Sequence, residues 1–283
     1  MNAVVKHPNS MNIDPQEFYQ QGFVVARKLC EPDVLESMRQ KTLADLGQSN
    51  GPVEFEADVG YDGAPESRQQ PGGQTIRRLL GALERGPVFQ QWASAGAVVR
   101  VVRKLFQAGS DGRGRSPGPV TTNEQLLVVR AHHNCIMTKH PDFSSSTGWH
   151  KDTRYWAYER PDLINAWTAL GIESEDNGGM QLIPGSHRHA FKAACFDSAK
   201  FFRQDYPPNQ AWLDRAVQVD MQPGDVLFFH ARLLHAAGQN RSMQRKLSVV
   251  FSYRTSSNMP IPGTRSSSLE DMVVGRLNTG QQS

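Results

Sequence analysis

The spacing of apolar residues changes character near residue 125, from helical periods before it to short β-rich runs after it. Asp14 followed by Pro15 supplies a capping oxygen and a pre-set φ. Phe18 and Tyr19 add apolar contacts and Gly22 a stop, so a short helix is predicted there. Phe23 to Ala26 reads as a strand. Glu31 to Leu46 reads as a second helix, since Val34, Leu35, Met38 and Leu46 recur at roughly helical spacing. Residues 47–74 are rich in Gly, Pro, Ser, Gln and acidic side chains and predict a long loop of the kind that covers a site. A helical stretch is predicted from Ile76 to Phe106, in one or two pieces, and mobile surface from Gln107 to Asn123.

From Gln125 onward the predicted strands are Leu126 to Met137, Leu163 to Ile172, Met180 to Ile183, Ala216 to Gln222, Val226 to His230 and Leu247 to Tyr253. Turn residues bound them, as in Asp176-Asn177-Gly178-Gly179, Pro184-Gly185 and Pro223-Gly224. The expectation is a mainly β fold with flanking helices, a sandwich or barrel carrying those helices on one outer face. One domain is expected over 1–283. Residues 1–124 would form a helical layer with variable loops, 125–254 the β core, and 255–283 an irregular tail.

Composition narrows the function classes. A hydrophobic fraction of 38% with 21% charged residues belongs to an ordinary globular protein, and no apolar run is long enough to span a bilayer. The formal charge is only +3 and the basic residues are scattered, which argues against nucleic acid as a partner. Met1 to Asn12 has no apolar core of the secretory type, so a cytoplasmic setting is expected. Cys30, Cys135 and Cys195 are odd in number and far apart, giving neither a disulfide framework nor zinc spacing. A small molecule is left as the expected partner.

Candidate chemistry centres on Gly148-Trp149-His150-Lys151-Asp152. In an extended segment His150 and Asp152 project to one side and can share an ion. A surface hydrogen-bonded pair is the competing account of so short a motif. After the turn at Pro223-Gly224, an apolar strand leads to His235, well placed as a third ligand. Two imidazoles and one carboxylate on one face of a metal make the facial set of non-haem iron oxygenases. Arg245 opens the run to Tyr253. Placed on the face of Leu247, Val249, Phe251 and Tyr253 it would point inward and need an anion, either a ligand carboxylate or a structural Asp or Glu. Consecutive His132 and His133 would face opposite ways in a strand, so at most one is expected near the site. His140, His187, His189 and His230 read as structural. Lys151, Arg154, Tyr155 and Trp156 flank the motif, to touch substrate or simply to pack. No phosphate-loop, zinc-protease or serine-hydrolase motif is present.

Taken together, four stretches resemble the phytanoyl-CoA dioxygenase family of iron(II)- and 2-oxoglutarate-dependent oxygenases: Phe18 to Val25; Gly148 to Trp167; Asn177 to Met180 with Ile183 to His187; and Gly224 to Ser242 with Arg245. The resemblance implies a double-stranded β-helix, a jelly-roll barrel of the cupin type. It implies iron(II) on His150, Asp152 and His235, and the distal carboxylate of 2-oxoglutarate on Arg245. Trp167 and Cys135 would line the cosubstrate pocket, and Ala237 stands where some relatives carry a hydroxyl. With Asp152 present, it implies O2-dependent hydroxylation or a related C–H oxidation rather than halogenation. The expected substrate is a small organic molecule, a natural product or amino-acid derivative ahead of an acyl-CoA. Two alternatives stay open: a catalytically silent barrel that binds a ligand, and a cupin-like metal enzyme that does not use 2-oxoglutarate.

Overall fold

Asp14 caps the first helix as its place before Pro15 requires, its carboxylate accepting the Gln16 amide at 2.8 Å, and α1 runs Pro15–Gln21. Gly22 ends it in the left-handed region (φ +88°). A Cβ there would stand 2.4 Å from His187 Nδ1, so only glycine lets the chain enter β1, Phe23–Ala26. The computed structural model describes residues 13–108 and 124–277, so most of the segment expected to be mobile lies outside the described residues.

The elements that follow are α2 (Pro32–Gln48), β2 (Val53–Phe55), β3 (Ile76–Leu80), α3 (Pro87–Ala93), α4 (Gly96–Ala108), β4 (Gln125–Val128), β5 (Asn134–Lys139) and β6 (Thr147–His150). Then come β7 (Ile164–Ala169), β8 (Met180–Leu182), α5 (Gln210–Leu213), β9 (Val217–Gln218), β10 (Val226–His230), β11 (His235–Ala237), β12 (Lys246–Thr255) and β13 (Met272–Arg276). Two antiparallel sheets face each other. The larger runs β1-β10-β7-β12-β5-β3-β2, with β4 pairing the far part of β12 and β13 pairing β4; the smaller runs β6-β11-β8-β9. This is the double-stranded β-helix.

Alternation along the central strands builds the layers. Leu247, Val249, Phe251 and Tyr253 of β12, with Ile164 and Ala166 of β7 and Val226 and Phe228 of β10, face outward into a core shared with the helices. Helix α4 presents Val98, Val102, Leu105 and Phe106 to this core at helical spacing. Two buried hydrogen bonds fix the layer: Trp92 Nε1 donates to Thr168 Oγ1 at 2.9 Å, and Tyr253 Oη to the Ala93 carbonyl at 2.8 Å. The opposite positions, including Trp167, Ala169, Leu227, Phe229 and Val250, face between the sheets with Cys135, Met180 and Leu182.

Several expectations change. Ile76–Leu80 is a strand rather than the start of a helix, because it finds edges on both β5 and β2, and such tertiary pairing overrides local preference. The run from Leu126 to Met137 breaks into two strands at residues 129–133, so His132 and His133 lie in the connecting turn and strand alternation does not separate them. The tail supplies β13, and the amino-terminal part supplies three strands of the larger sheet, so the β core extends beyond 125–254. All three cysteines are buried and free. No described helix is long and apolar enough to cross a membrane.

Two stability tests follow from this packing. Phe228 is fully buried between β10 and the helices; Phe228→Ala is expected to cost about 3–5 kcal/mol, read from the urea midpoint. Burial pushes the His187 imidazole down to about 4, while the unfolded chain titrates near the ordinary 6.5. The unfolded state therefore takes up this proton first, and the associated stability is present above pH 6.5 and lost as pH falls toward 4. Acidification from pH 7 to 5 is expected to remove about 1–2 kcal/mol through this group, and His187→Gln should flatten that part of the urea-midpoint profile.

Candidate metal centre

His150 ends β6 directly opposite His235, which opens β11, and the two rings lie 4.2 Å apart. Each Nδ1 meets a backbone carbonyl of its own segment, His150 that of Gly148 at 2.8 Å and His235 that of Leu233 at 3.0 Å. A carbonyl only accepts, so both Nδ1 atoms carry the proton and both Nε2 lone pairs are free. Those atoms stand 3.8 and 3.6 Å from Asp152 Oδ1. Burial, followed by the neighbouring His235, drives His150 well below the ordinary histidine range, which keeps it in the neutral form that binds metal.

Asp152 stands just beyond β6, at the start of a single 3-10 turn. Lys151 before it stays extended (φ −114°, ψ 139°), so His150 and Asp152 share a side as the alternation argument expects. The Asp152 side chain is fully buried. Its Oδ2 accepts from Asn165 Nδ2 at 2.7 Å, and Asn165 Oδ1 in turn accepts from Ser252. Oδ1 has no hydrogen-bond partner among the described residues. A buried carboxylate oxygen facing two imidazole lone pairs is costly unless a cation sits among them. The three ligand atoms all lie within 4.8 Å of one another, so the donor set fits one divalent ion. His133 approaches the same oxygen, its Nε2 at 3.5 Å, with its ring edge-on to Trp156.

A cavity opens from this centre. Tyr61, Tyr155, Trp156, His132 and Arg265 line part of it; Cys135, Met137, Trp167, Lys139 and Lys246 line the part against the larger sheet, and Met180 of β8 lines it from the smaller one. Trp167 and Cys135, which the resemblance assigns to a cosubstrate pocket, both border this cavity. Burial pushes the Cys135 thiol up, so it acts as an apolar wall and not as a thiolate. Ala237 also borders the cavity and presents only a methyl group. His132 and His133 both border it, against the expectation that one at most would, because neither is in a strand.

Arg245 is a correction. It is exposed and lies before β12, which starts at Lys246. The face assigned to it, that of Leu247, Val249 and Phe251, packs against the helices and not the cavity. The parity shifts by one residue: Lys246 is 1% exposed, borders the cavity, and holds its Nζ 4.8 Å from the Trp167 ring centre. Asn165, Arg78 and Lys139 also belong to the site and went unread. The strand parity of Lys246 could have been found by testing both frames of the run, whereas Asn165 carries no local signal.

A buried two-histidine, one-carboxylate centre at one mouth of a double-stranded β-helix defines a mononuclear metal protein of the jelly-roll class. The sequence model of the phytanoyl-CoA dioxygenase (PhyH) family matches residues 18–248, and the chain belongs to that family. It is 31% identical over 160 residues to human peroxisomal phytanoyl-CoA dioxygenase, covering 52% of this chain and 46% of that one. The match therefore spans about half of the human relative's length. The rat protein is 23% identical over 263 residues, covering 88% and 70%. Among solved structures, EctD from S. alaskensis with 2-oxoglutarate and 5-hydroxyectoine aligns with a TM-score of 0.67 at 17% identity, over 87% of this chain and 77% of that one, a likeness of fold.

Since Asn165 is the only donor to the Asp152 carboxylate among the described residues, Asn165→Ala is expected to weaken iron(II) binding by about 10–100-fold. Anaerobic competition with a chromogenic chelator would measure this, with far-ultraviolet circular dichroism showing the fold retained.

Proposed function

We propose that this protein is an iron(II)- and 2-oxoglutarate-dependent dioxygenase that hydroxylates, or otherwise oxidises at a C–H bond, a small organic molecule. The observation that carries the reading is the unpartnered, buried Oδ1 of Asp152 facing the Nε2 atoms of His150 and His235. His150, Asp152 and His235 would hold the iron. Bound there, iron(II) supplies O2 activation coupled to decarboxylation of the oxo acid: one oxygen atom leaves in succinate, carbon dioxide is released, and the other oxygen replaces a substrate hydrogen as hydroxyl.

The chain's own part is binding, orientation and exclusion of water. Asn165 fixes the Asp152 carboxylate so that Oδ1 keeps facing the histidines. Lys246, in the role the sequence assigns to Arg245, is the cation on the inward face of β12 for the distal carboxylate, with Lys139 opposite it in register on β5. Trp167 and Cys135 close the wall beside them, and Lys139, Lys246 and Arg78 make this flank of the cavity suited to a dianionic oxo acid. On the substrate side Tyr61 and Tyr155 meet through their hydroxyls at 3.0 Å, and with Trp156 they present aromatic surface to an organic molecule. The reading places this chemistry in the cytoplasm, in keeping with three cysteines that form no disulfide.

Anaerobic addition of iron(II) and then 2-oxoglutarate to the purified protein is expected to produce the weak visible charge-transfer band of the chelate, and His235→Ala should abolish it. In aerobic assays His150→Ala and Asp152→Ala should lose oxo-acid decarboxylation by at least about a hundredfold. Folded protein that binds iron but develops no band would overturn the cosubstrate assignment.

A further inference from the structure

Glu173, between β7 and β8, is 1% exposed and stands against Trp167 and Lys246 of the proposed cosubstrate flank and against Ser248, their neighbour on the inward face of β12. Its Oε1 accepts from Trp167 Nε1 at 2.8 Å and from Ser248 Oγ at 2.5 Å, and its Oε2 lies 3.3 Å from Lys246 Nζ. Among the described residues the Lys246 ammonium has Glu173 as its carboxylate, lies 3.5 Å from Ser248 Oγ, and stands over the Trp167 ring. The neighbouring charges differ. Arg78 is held by Glu54 through two contacts of 2.6 Å, and Arg77 stands 3.5 Å from Glu54 and 3.8 Å from Glu56. Lys139 donates to the Ser145 carbonyl at 2.7 Å and has no carboxylate within ion-pair distance among the described residues.

An indole N–H, a hydroxyl and an ammonium converging on one point make a carboxylate site, and in this chain a carboxylate of the protein already occupies it. An arriving distal carboxylate would share Lys246 Nζ with Glu173, so the two anions would sit within about 6 Å of each other, where like charges in a low-dielectric wall repel appreciably. The ammonium therefore gives the incoming group much less than a free lysine would.

We propose that Glu173 is a specificity-determining residue for the cosubstrate: by engaging Lys246 and Ser248 from behind the cavity wall, it weakens the grip on the distal carboxylate and narrows the preference for 2-oxoglutarate over uncharged-tail 2-oxo acids. The proposal rests on the function proposed above. It makes Glu173 a positioning residue that acts through Lys246, so turnover becomes dependent on the supply of oxo acid.

The test is anaerobic titration of the iron(II)-loaded full chain with 2-oxoglutarate and with 2-oxopentanoate, which has the same length and a methyl end, following the chelate band. In the wild type the two affinities are expected to differ by less than about tenfold. Glu173→Gln should tighten 2-oxoglutarate by about tenfold or more and leave 2-oxopentanoate unchanged, and the gain should vanish in a Glu173→Gln, Lys246→Met double variant. A wild-type preference for 2-oxoglutarate well beyond tenfold overturns the proposal, even if Glu173→Gln fails to fold. So does a folded Glu173→Gln that binds 2-oxoglutarate no better, or a gain that survives in the double variant. A wild type with no band for either acid removes the proposed function itself, and this inference with it.

Discussion

The arrangement of this protein turns on one buried oxygen. Asp152 Oδ1 is sealed from water, receives no hydrogen bond among the described residues, and has the imidazole nitrogens of His133, His150 and His235 within 4 Å. An ionised carboxylate in that position is tolerable only with compensation, which one neutral asparagine on the other oxygen does not supply. The sheets are disposed to keep that oxygen in place. His150 and His235 come from adjacent strands of the smaller sheet, while Asn165 and Ser252 come from adjacent strands of the larger one. The candidate metal centre therefore draws its side chains from both sheets.

The larger sheet can serve as this support because its two faces are chemically distinct. Its outer face is a continuous apolar layer against α1 to α4, which anchors the strands without help from the cavity. That leaves the inner face free to carry Asn165, Ser248, Ser252, Lys246 and Trp167, side chains a sheet without an independent core could hardly accommodate. Function sits on the face that the helices do not need.

Inside the cavity, positive side chains are matched one by one: Arg77 and Arg78 by Glu54 and Glu56, and Lys246 by Glu173. Lys139 and Arg265 are the exceptions, with no carboxylate partner among the described residues: Arg265 donates to the Ala131 carbonyl, and burial with the nearby Arg77 and Lys246 drives the Lys139 amine well below the ordinary lysine range. Most of the cavity's charge is thus balanced within the protein, and on the reading proposed above an incoming anion would be distinguished by how each lysine is already engaged. On that reading, residues behind the cavity wall such as Glu173 would set binding strength along with those that line it.

By itself the sequence pointed to the His150–Asp152 pair, the β-rich core after residue 125 and the first helix, because each rests on local chemistry: a His and an Asp two positions apart, turn residues between apolar runs, an Asp before a proline; His235 was added from its place after an apolar strand and from resemblance. Trp167 and Cys135 were placed at the pocket by resemblance. Tertiary structure alone decided the rest. Residues 76–80 became a strand because two neighbours offered edges, and β13 joined the sheet by pairing with β4. The inward cation moved from Arg245 to Lys246 because where β12 begins depends on its partners, and a shift of one residue exchanges the faces of a strand. Glu173 and Asn165 reach their partners across 73 and 13 residues, distances over which no local pattern carries information.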